Sequence, residues 1–236
     1  MASFSSADVV ELIRPLALNS DLTVLDIGAG LGGSSRTIAN ETGAWVNGYE
    51  LNSDLAAAAM ERSNMAGMGR KAPVSILPPE GPELKPRSAN AMFSKEALYK
   101  VEDKGALLTA VHEILRPSSQ ILLTDYVSAE GHEESQGVHD WVEHERTPSY
   151  LWTIPEYRAH LENLNYRIHV AEDITDKYYH TVVSGFSAFS NTIKSFRGNT
   201  EMEQWTVKEA EFWARRMAPF EAGDLRVCRV FAQKME

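Results

Sequence analysis

A buried strand that runs directly into a glycine-rich turn constrains the fold of this chain more than any other feature. The segment VLDIGAGLGG (24–33) ends an apolar run with glycines at positions 28, 30, 32 and 33, and a helical pattern follows. Glycines allow a sharp turn and a close approach of a ligand to the backbone, and a helix N-terminus exposes unpaired N–H groups. Glu50 ends the next strand-like run, where an acid can bind two ribose hydroxyls. This order of elements predicts a nucleotide-type ligand site.

Short strand-like runs alternate with helical patterns over the first two thirds of the chain, which is typical of a parallel sheet flanked by helices. We predict strands at 23–27, 44–49, 73–77, 89–94 and 120–124, and a last strand at 225–232. A helix with an apolar face precedes Pro117, so we expect it to end at Arg116. Residues 128–150 are polar and predict a loop with a short helix.

Two capping boxes predict further helix starts, Thr153 with Glu156 and Thr206 with Glu209. Between them a wide apolar stripe predicts helices that pack as a lid on the sheet. The stripe consists of Val182, Val183, Phe186, Phe189, Ile193 and Phe196.

The composition of the chain limits which cell compartments and which partners are compatible with it. The chain has 236 residues and a formal net charge of −10, which argues against charge-driven binding to nucleic acid or to an anionic membrane. Cys228 is the one cysteine, so no intrachain disulfide can form and a reducing compartment is favoured. The N-terminus lacks the features of a secretory signal, and no apolar run is long enough to span a bilayer. We therefore expect a cytoplasmic protein; the oligomeric state stays open.

The glycine loop alone leaves two ligand classes open. Gly28, Gly30 and Gly33 also satisfy the G-x-G-x-x-G spacing of dinucleotide sites, so a nicotinamide oxidoreductase is one alternative. Asp26, two residues before the first glycine, places negative charge beside the loop. That charge suits a sulfonium or an amino group better than a pyrophosphate.

Four segments in order resemble the successive motifs of class I S-adenosylmethionine-dependent methyltransferases. They are VLDIGAGLGG, Glu50, FSKEAL (93–98) and LRPSSQILLTDY (115–126), and the resemblance covers roughly the first 126 residues. It implies an α/β fold: a Rossmann-like, seven-stranded, mostly parallel sheet with helices on both faces and a helical lid inserted before the last strands. It also implies one methyltransferase domain, with a cofactor-binding core (1–126), an acceptor-site loop, sixth strand and lid helices (127–222), and a closing strand (223–236).

The same resemblance implies S-adenosylmethionine as the cofactor. Asp26, Gly28 and Gly30 would lie along its methionine part, Glu50 would hold the ribose, and Leu51 would pack on the adenine. Glu80 follows the third strand, where an acid usually contacts the adenine amino group, and its neighbour Gly81 and the post-strand Lys95 are expected nearby. The expected cofactor residues are thus Asp26, Gly28, Gly30, Glu50, Leu51, Glu80, Gly81 and Lys95.

The acceptor side resembles the phosphoethanolamine methyltransferases and related small-molecule N-methyltransferases, through LLTDY and EDITDKYY (172–179). In that group the carboxylate ending the fifth strand and the lid tyrosines line the acceptor pocket. The corresponding positions are Asp125, Tyr126, Tyr150, Tyr178 and Tyr179.

The chain departs from that group at two places. It begins only some twenty residues before the first strand, whereas the group has a tyrosine-rich N-terminal segment, so we expect another element to cover the acceptor. Glu172 stands where a basic residue suited to a phosphate is expected. A carboxylate would repel phosphate, so a free or zwitterionic amine is favoured over a phosphobase.

An amine acceptor is mostly protonated near pH 7, so methyl transfer to it requires a base. His132, seven residues beyond Asp125, is the candidate, with Asp125 orienting the amine or the base. Aromatic faces would stabilise the developing ammonium. For any one of His132, His139 and His144, a surface position in a polar loop is favoured over a catalytic role, and their spacing predicts no metal site.

The leading hypothesis is therefore methyl transfer from S-adenosylmethionine to the amine nitrogen of a small molecule. S-, O- or C-methylation of a small metabolite, a nicotinamide-dependent oxidoreductase and a non-catalytic methyltransferase-fold subunit remain alternatives. A nucleic-acid methyltransferase is disfavoured because the residues after the fourth strand are Lys95, Glu96 and Ala97 rather than an N-P-P-[YF] loop.

Overall fold

The structure is a computed structural model that describes residues 6–193 and 200–236. Phe196 of the predicted apolar stripe lies outside the described residues, as do the side chains of Phe186, Phe189 and Ile193. Val182 is buried and belongs to the apolar cluster beneath the later helices, whereas Val183 is exposed.

Seven strands form one sheet in the order β3-β2-β1-β4-β5-β7-β6. Strands β1 to β5 are parallel to one another, and β7 runs antiparallel between β5 and β6. This antiparallel insertion departs from the 3-2-1-4-5-6 order of dinucleotide-binding sheets. The strands are β1 (Thr23–Ile27), β2 (Trp45–Glu50), β3 (Val74–Ile76), β4 (Ala89–Lys95), β5 (Leu115–Ser128), β6 (Tyr166–Asp173) and β7 (Leu225–Lys234).

The helices cover both faces of the sheet. Val9 and Ile38, from α1 and α2, pack on Val24 at one face, while Leu108 and Tyr157, from α4 and α6, belong to the apolar cluster on the other. A third cluster joins α5, α7 and α8 above the ends of β5 and β7. The described helices are α1 (Ser6–Ile13), α2 (Gly33–Thr42), α3 (Ser53–Met65), α4 (Lys104–Ile114), α5 (Gln136–His144), α6 (Ile154–Asn163), α7 (Thr175–Ile193) and α8 (Thr200–Ala222).

The predicted strands match the observed ones closely except at β5. This strand begins at Leu115 rather than at Gln120, and α4 accordingly ends at Ile114 instead of Arg116. Leu115 pairs with Ala89 of β4 across a register shift, so the strand pairing extends over Pro117. Proline is tolerated there because the ladder is irregular at this point.

The two predicted capping boxes have different outcomes. Thr153 and Glu156 form the reciprocal bonds at the start of α6, which confirms that prediction. Thr206 was wrongly predicted as a helix start, because it lies inside α8 and its Oγ1 donates to the Met202 carbonyl, 2.8 Å away. A threonine can bond to the carbonyl four residues before it within a helix, so the local pattern fits both positions.

Among the described helices, none combines the length and the apolar character that a membrane-spanning segment needs.

Candidate active site

The glycine loop lies at the carboxyl end of β1, between β2 and β4, where α/β sheets commonly bind ligands. Gly28 has a φ of +81°, and a Cβ at this position would overlap the Cβ of Ala97. Gly30 has a φ of +55°, and its surroundings are open to 4 Å around an added Cβ. The turn thus requires glycine at position 28 for close packing and leaves the backbone at position 30 accessible to a ligand.

The Glu50 carboxylate is held beside this loop by two backbone N–H groups. Gly30 N donates to Oε2 at 2.8 Å, and Asn52 N donates to Oε1 at 3.0 Å. Glu50 itself is only 7% exposed. Each carboxylate oxygen can accept a second hydrogen bond, so this group is positioned to accept hydrogen bonds from two neighbouring hydroxyls.

Asp26 forms a second carboxylate at the loop. It is 1% exposed, and Ser35 Oγ donates to its Oδ2 at 2.5 Å. Burial raises the pKa of Asp26 to about 6, the Ser35 hydrogen bond opposes this shift, and the Glu50 charge adds to it. A cation bound nearby would favour the charged carboxylate. Two buried carboxylates beside an open glycine loop therefore fit a ligand with ribose hydroxyls and positive charge, as S-adenosylmethionine has.

A cavity of about 220 Å³ extends from Asp26 and Gly28 towards α8. Its walls combine the glycine loop, the end of β4, the residues after β4, and one face of α8. The lining residues are Asp26, Gly28, Ser34, Lys95, Glu96, Tyr99, Lys100, Tyr126, Trp213 and Arg216. The cofactor loop and a set of aromatic and charged side chains thus share one cavity.

Glu96 is the acidic residue of this cavity beyond the glycine loop. Thr124 Oγ1 donates to its Oε1 at 2.7 Å, and Lys95 Nζ donates to its Oε2 at 2.6 Å. Its φ of +44° is unfavourable for a residue with a side chain, and strained residues are frequent at functional sites. The expected residue Lys95 therefore lies at the cavity, paired with a carboxylate for which no role was predicted.

Aromatic rings and one arginine form the far end of the cavity. The Arg216 guanidinium donates from Nη2 to the Tyr99 hydroxyl at 2.8 Å and lies 4.7 Å from the centre of the Tyr126 ring. The Tyr126 and Tyr178 hydroxyls are hydrogen-bonded to each other. Burial raises the pKa of both tyrosines, so both remain protonated at neutral pH.

A smaller cavity of about 80 Å³ shares Lys95 and Glu96 with the first one. Helices α1 and α7 supply its other walls, including Leu12 and Tyr178, and the ion pair between Glu11 and Lys177 joins these helices at 2.9 Å. Helices α1 and α7 thus border this smaller cavity together, and which element covers the acceptor stays a prediction.

Asp125 is placed differently from the prediction. Side chains alternate along β5, so Tyr126 faces the cavity while Asp125 faces α6 on the opposite side of the sheet. Tyr157 OH donates to its Oδ2 at 2.7 Å, and burial raises the pKa of Asp125 to about 7. We correct its expected role: in this position the carboxylate supports the protein interior and does not line the acceptor cavity.

Three other predicted acceptor residues also lie away from the cavity. His132 is exposed, and its Nδ1 lies 2.9 Å from Asp224 Oδ1 beyond the end of β5. Tyr150 bonds through its backbone, donating N–H to the Tyr99 carbonyl at 2.6 Å. Tyr179 donates its hydroxyl to Glu221 at 2.6 Å. Of the predicted acceptor tyrosines, Tyr126 lines this cavity and Tyr178 lines the smaller cavity beside it. Tyr179 follows Tyr178 on α7 and points in a direction about 100° away from it.

The residues expected to contact the adenine do not form a defined site in the structure. Leu51 is 43% exposed next to Glu50, and Glu80 is exposed in the turn after β3. Gly81 is buried under α4, where an added Cβ would lie 2.7 Å from that of Ala110. Close packing against α4 therefore explains the glycine at position 81 without a ligand.

The sequence argument against a phosphate rested on Glu172, which the structure places in β6. Arg229 Nη2 lies 2.6 Å from its Oε1, so its charge is paired, and it does not line either cavity at Glu96. Arg216, together with Lys95 and Lys100, instead supplies the cations that line the cavity. The sequence reasoning missed Glu96, Tyr99, Lys100 and Arg216; FSKEAL was the local signal for Glu96, whereas nothing in the sequence connects Arg216 to position 96.

Within residues 6–193 and 200–236 we find no group of three or more His, Cys, Asp or Glu side chains placed to hold a metal ion.

Solved structures share this architecture over nearly the whole chain. A putative sarcosine dimethylglycine methyltransferase from Galdieria sulphuraria superposes with a TM-score of 0.80 at 16% identity, covering 98% of this chain and 85% of that one. Phosphoethanolamine N-methyltransferase 2 of Haemonchus contortus, solved with S-adenosyl-L-methionine, gives 0.84 at 19% identity and covers 98% and 53%. The chain has the Rossmann-like fold of these methyltransferases, which confirms the predicted seven-stranded, mostly parallel sheet with helices on both faces; the predicted helical lid stays a prediction.

At the level of sequence, the chain resembles the phosphoethanolamine N-methyltransferases. The Plasmodium falciparum enzyme is 27% identical over 168 residues, which cover 70% of this chain and 61% of the relative. Phosphoethanolamine N-methyltransferase 2 of Caenorhabditis elegans is 30% identical over 114 residues, covering 48% and 26%. The chain thus spans less than two thirds of the length of these curated relatives, and no family model matches it.

Proposed function

We propose that this chain transfers a methyl group from S-adenosylmethionine to the amine nitrogen of a small molecule. One observation carries the proposal: the cavity that begins at Asp26 and Gly28 continues to Glu96 and to the aromatic rings around Arg216. The similarity to phosphoethanolamine N-methyltransferases supports it, as do the solved structures of one such protein with S-adenosyl-L-methionine and with S-adenosylhomocysteine.

Glu50 would hold the cofactor ribose, and Asp26 would face the positively charged part of its methionine moiety. Both carboxylates are already oriented, Glu50 by backbone N–H groups and Asp26 by Ser35, so little ordering is needed on binding. Gly30 leaves its backbone open to the ligand and Gly28 forms part of the cavity wall. Leu51 offers an apolar surface to the adenine, with Glu80 and Gly81 in the neighbouring turn. When bound, S-adenosylmethionine supplies an electrophilic methyl group on a sulfonium.

Glu96 would orient the acceptor amine and take up its proton. Its carboxylate is fixed by Thr124 and Lys95, and it lies in the cavity shared with the cofactor loop. In this role it replaces His132 as the candidate base, because His132 is paired with Asp224 elsewhere. The rings of Tyr99 and Tyr126 can stabilise the methylated ammonium through cation–π contacts of about 0.5–2 kcal/mol each.

Alignment and exclusion of water are the main further contributions of the chain, since the reacting atoms must be held about 3–3.5 Å apart in line. Trp213 and Arg216 on α8 close the cavity from the side opposite the glycine loop. We also propose the division into a core (1–126), an acceptor-side region (127–222) and a closing strand (223–236). The net charge of −10 and the single, buried Cys228 favour a cytoplasmic enzyme with a small-molecule partner.

The test is formation of S-adenosylhomocysteine from S-adenosylmethionine with a panel of small primary and secondary amines. Glu96→Gln should lower kcat by about 100-fold with at least one accepted amine, because it removes the base, while the calorimetric Kd of the cofactor stays within about twofold. Glu102→Gln, an exposed residue close by in the sequence, is the matched control. A protein that binds no S-adenosylmethionine, or that binds it and methylates no amine, would refute the proposal.

A further inference from the structure

Glu145 is a buried carboxylate in contact with Arg216, which lines the cavity, and the mechanism above does not use it. It follows α5, and its side chain is only 5% exposed. Its Oε1 lies 2.9 Å from Arg216 Nε, and Arg216 lines the cavity. In the proposed complex, the Arg216 guanidinium would contact the end of the acceptor that lies opposite the amine. The Glu145 carboxylate already pairs with this guanidinium.

The position of Arg216 is fixed by its surroundings. Five aromatic rings have their centres 4.7–5.9 Å from its Cζ, those of Tyr99, Tyr126, Trp141, Phe212 and Trp213. Nη2 donates to Tyr99, whereas Nε has no aligned hydrogen-bond partner despite the nearby Glu145 oxygen. The guanidinium thus keeps donor capacity, and it cannot move far to follow a ligand.

The charges at this end of the cavity are close to balanced. Among the described residues that line the cavity, Lys95 is paired with Glu96 at 2.6 Å, and Arg216 and Lys100 are the other two cations. Both of them act on Glu145, and they oppose the rise in its pKa that burial causes. Arg216 and Lys100 carry two positive charges and Glu145 carries one negative charge, so one negative charge from a ligand would neutralise this end of the cavity. A second negative charge would have no cation to pair with, and it would be repelled by the nearby Glu145 carboxylate, because water screens little there.

We propose that Glu145 is a specificity-determining residue that limits the methyl acceptor to amines whose other end carries a single negative charge, and that it discriminates against dianionic phosphate esters. This inference rests on the proposed function, because it concerns the acceptor end of the same cavity. Glu145 acts through Arg216: it withdraws part of the positive charge that a phosphate would need.

Two acceptors of nearly equal shape and different charge test this inference. The phosphate of 2-aminoethyl phosphate carries between one and a half and two negative charges near pH 7, whereas 2-aminoethyl sulfate carries one on its ester. With the wild-type chain, kcat/KM for the sulfate should exceed that for the phosphate. Glu145→Gln should move this ratio at least about tenfold in favour of the phosphate. Glu143→Gln, on the exposed side of α5, should leave the ratio unchanged.

Binding measurements separate this inference from the proposed function. Calorimetric Kd values for both esters, with S-adenosylhomocysteine present, report the charge preference even if neither ester is methylated. The inference is overturned if Glu145→Gln retains a wild-type unfolding transition and cofactor Kd while the ratio of the two Kd values stays constant.

If Glu145→Gln fails to fold, Glu145→Asp keeps the charge and retracts it from Arg216, and the ratio should then move in the same direction by a smaller factor. A fixed ratio in a folded Glu145→Asp protein would also count against the inference. Loss of cofactor binding in the wild type would instead refute the proposed function.

Discussion

The carboxyl ends of β1 and β5 each carry a fully buried aspartate, yet the two residues have different surroundings. Asp26 lies on the face of the sheet covered by α2, bonds to Ser35 and borders the cavity. Asp125 lies on the other face, bonds to Tyr157 of α6 and is enclosed by the main apolar cluster. Burial raises the pKa of both, to about 6 and about 7. A buried, perturbed carboxylate is thus not by itself a sign of an active site, since the face of the strand decides what it meets.

The largest expected effect concerns the β5 end. Lys104 is fully buried, and its Nζ donates to the carbonyls of Val101 and Tyr150 on the same side as Asp125. Lys104→Met should lower the free energy of unfolding by about 3 kcal/mol, because it leaves two buried carbonyls without donors and removes a cation near Asp125. Urea denaturation gives this value.

In the same protein the cofactor Kd should change by less than about threefold, since Lys104 does not line the cavity. Lys85→Met at an exposed position is the control. If Lys104→Met instead abolished cofactor binding in a folded protein, the conclusion that the surroundings of Asp125 are separate from the cofactor site would be wrong.

The next effect concerns the β1 end. Glu50→Ala should weaken S-adenosylmethionine binding about 100-fold, because it removes the proposed acceptor of two ribose hydroxyls and the partner of the Gly30 N–H. Calorimetry measures the Kd, and Glu41→Ala, an exposed residue of α2, should leave it unchanged. Wild-type affinity in Glu50→Ala would show that the ribose lies elsewhere.

The smallest expected effects are those of pH. At the β1 end, pH should change cofactor affinity through Asp26, whereas at the β5 end it should change stability through Asp125. Below its pKa of about 6, Asp26 is protonated and no longer balances a cationic ligand, so cofactor affinity should fall about tenfold from pH 7 to pH 5. Asp26→Asn should bind weakly at both values and lose this pH dependence. A pH dependence that persisted in Asp26→Asn would assign it to another group.

For Asp125 the observable is stability. Its folded-state pKa of about 7 exceeds the ordinary value of 3.8, so between about pH 4 and pH 7 the folded chain holds a proton that the unfolded chain has released. Stability therefore decreases as the pH rises through this window. Urea unfolding at pH 5 and pH 7 should show this decrease in the wild type and a smaller one in Asp125→Asn. Equal decreases in both proteins would contradict the assignment.

Local sequence signals predicted the geometry of the glycine turn and its neighbouring strands well, while the roles of these residues towards the cofactor stay predictions. The turn at Gly28, the acid at Glu50 and the strand β1 all depend on neighbouring residues and on steric limits that hold in any fold. The acceptor side was predicted less well, because its residues come from distant parts of the chain. Tyr99 and Arg216 are hydrogen-bonded across 117 positions, and no spacing rule connects them.

The alternation of side chains explains why Asp125 misled the prediction. A strand presents successive residues to opposite faces, so the sequence LTDY offers Asp125 to one face and Tyr126 to the other. Which face carries the cavity depends on where α5, α7 and α8 pack, and this packing is a tertiary property. Similarly, His132 was close to Asp125 in sequence, but its partner Asp224 lies 92 positions away.

The sequence by itself determined the glycine turn, the two carboxylates beside it and the class of sheet, because short-range sterics and hydrophobic periodicity act within a few residues. Only the tertiary structure decided which charged side chains meet at the acceptor end. Packing of α5 and α8 brings Glu145 and Arg216 to within 2.9 Å among aromatic rings, in surroundings where water screens little. A single residue-to-residue contact made by folding thus governs the charge that this cavity can accept.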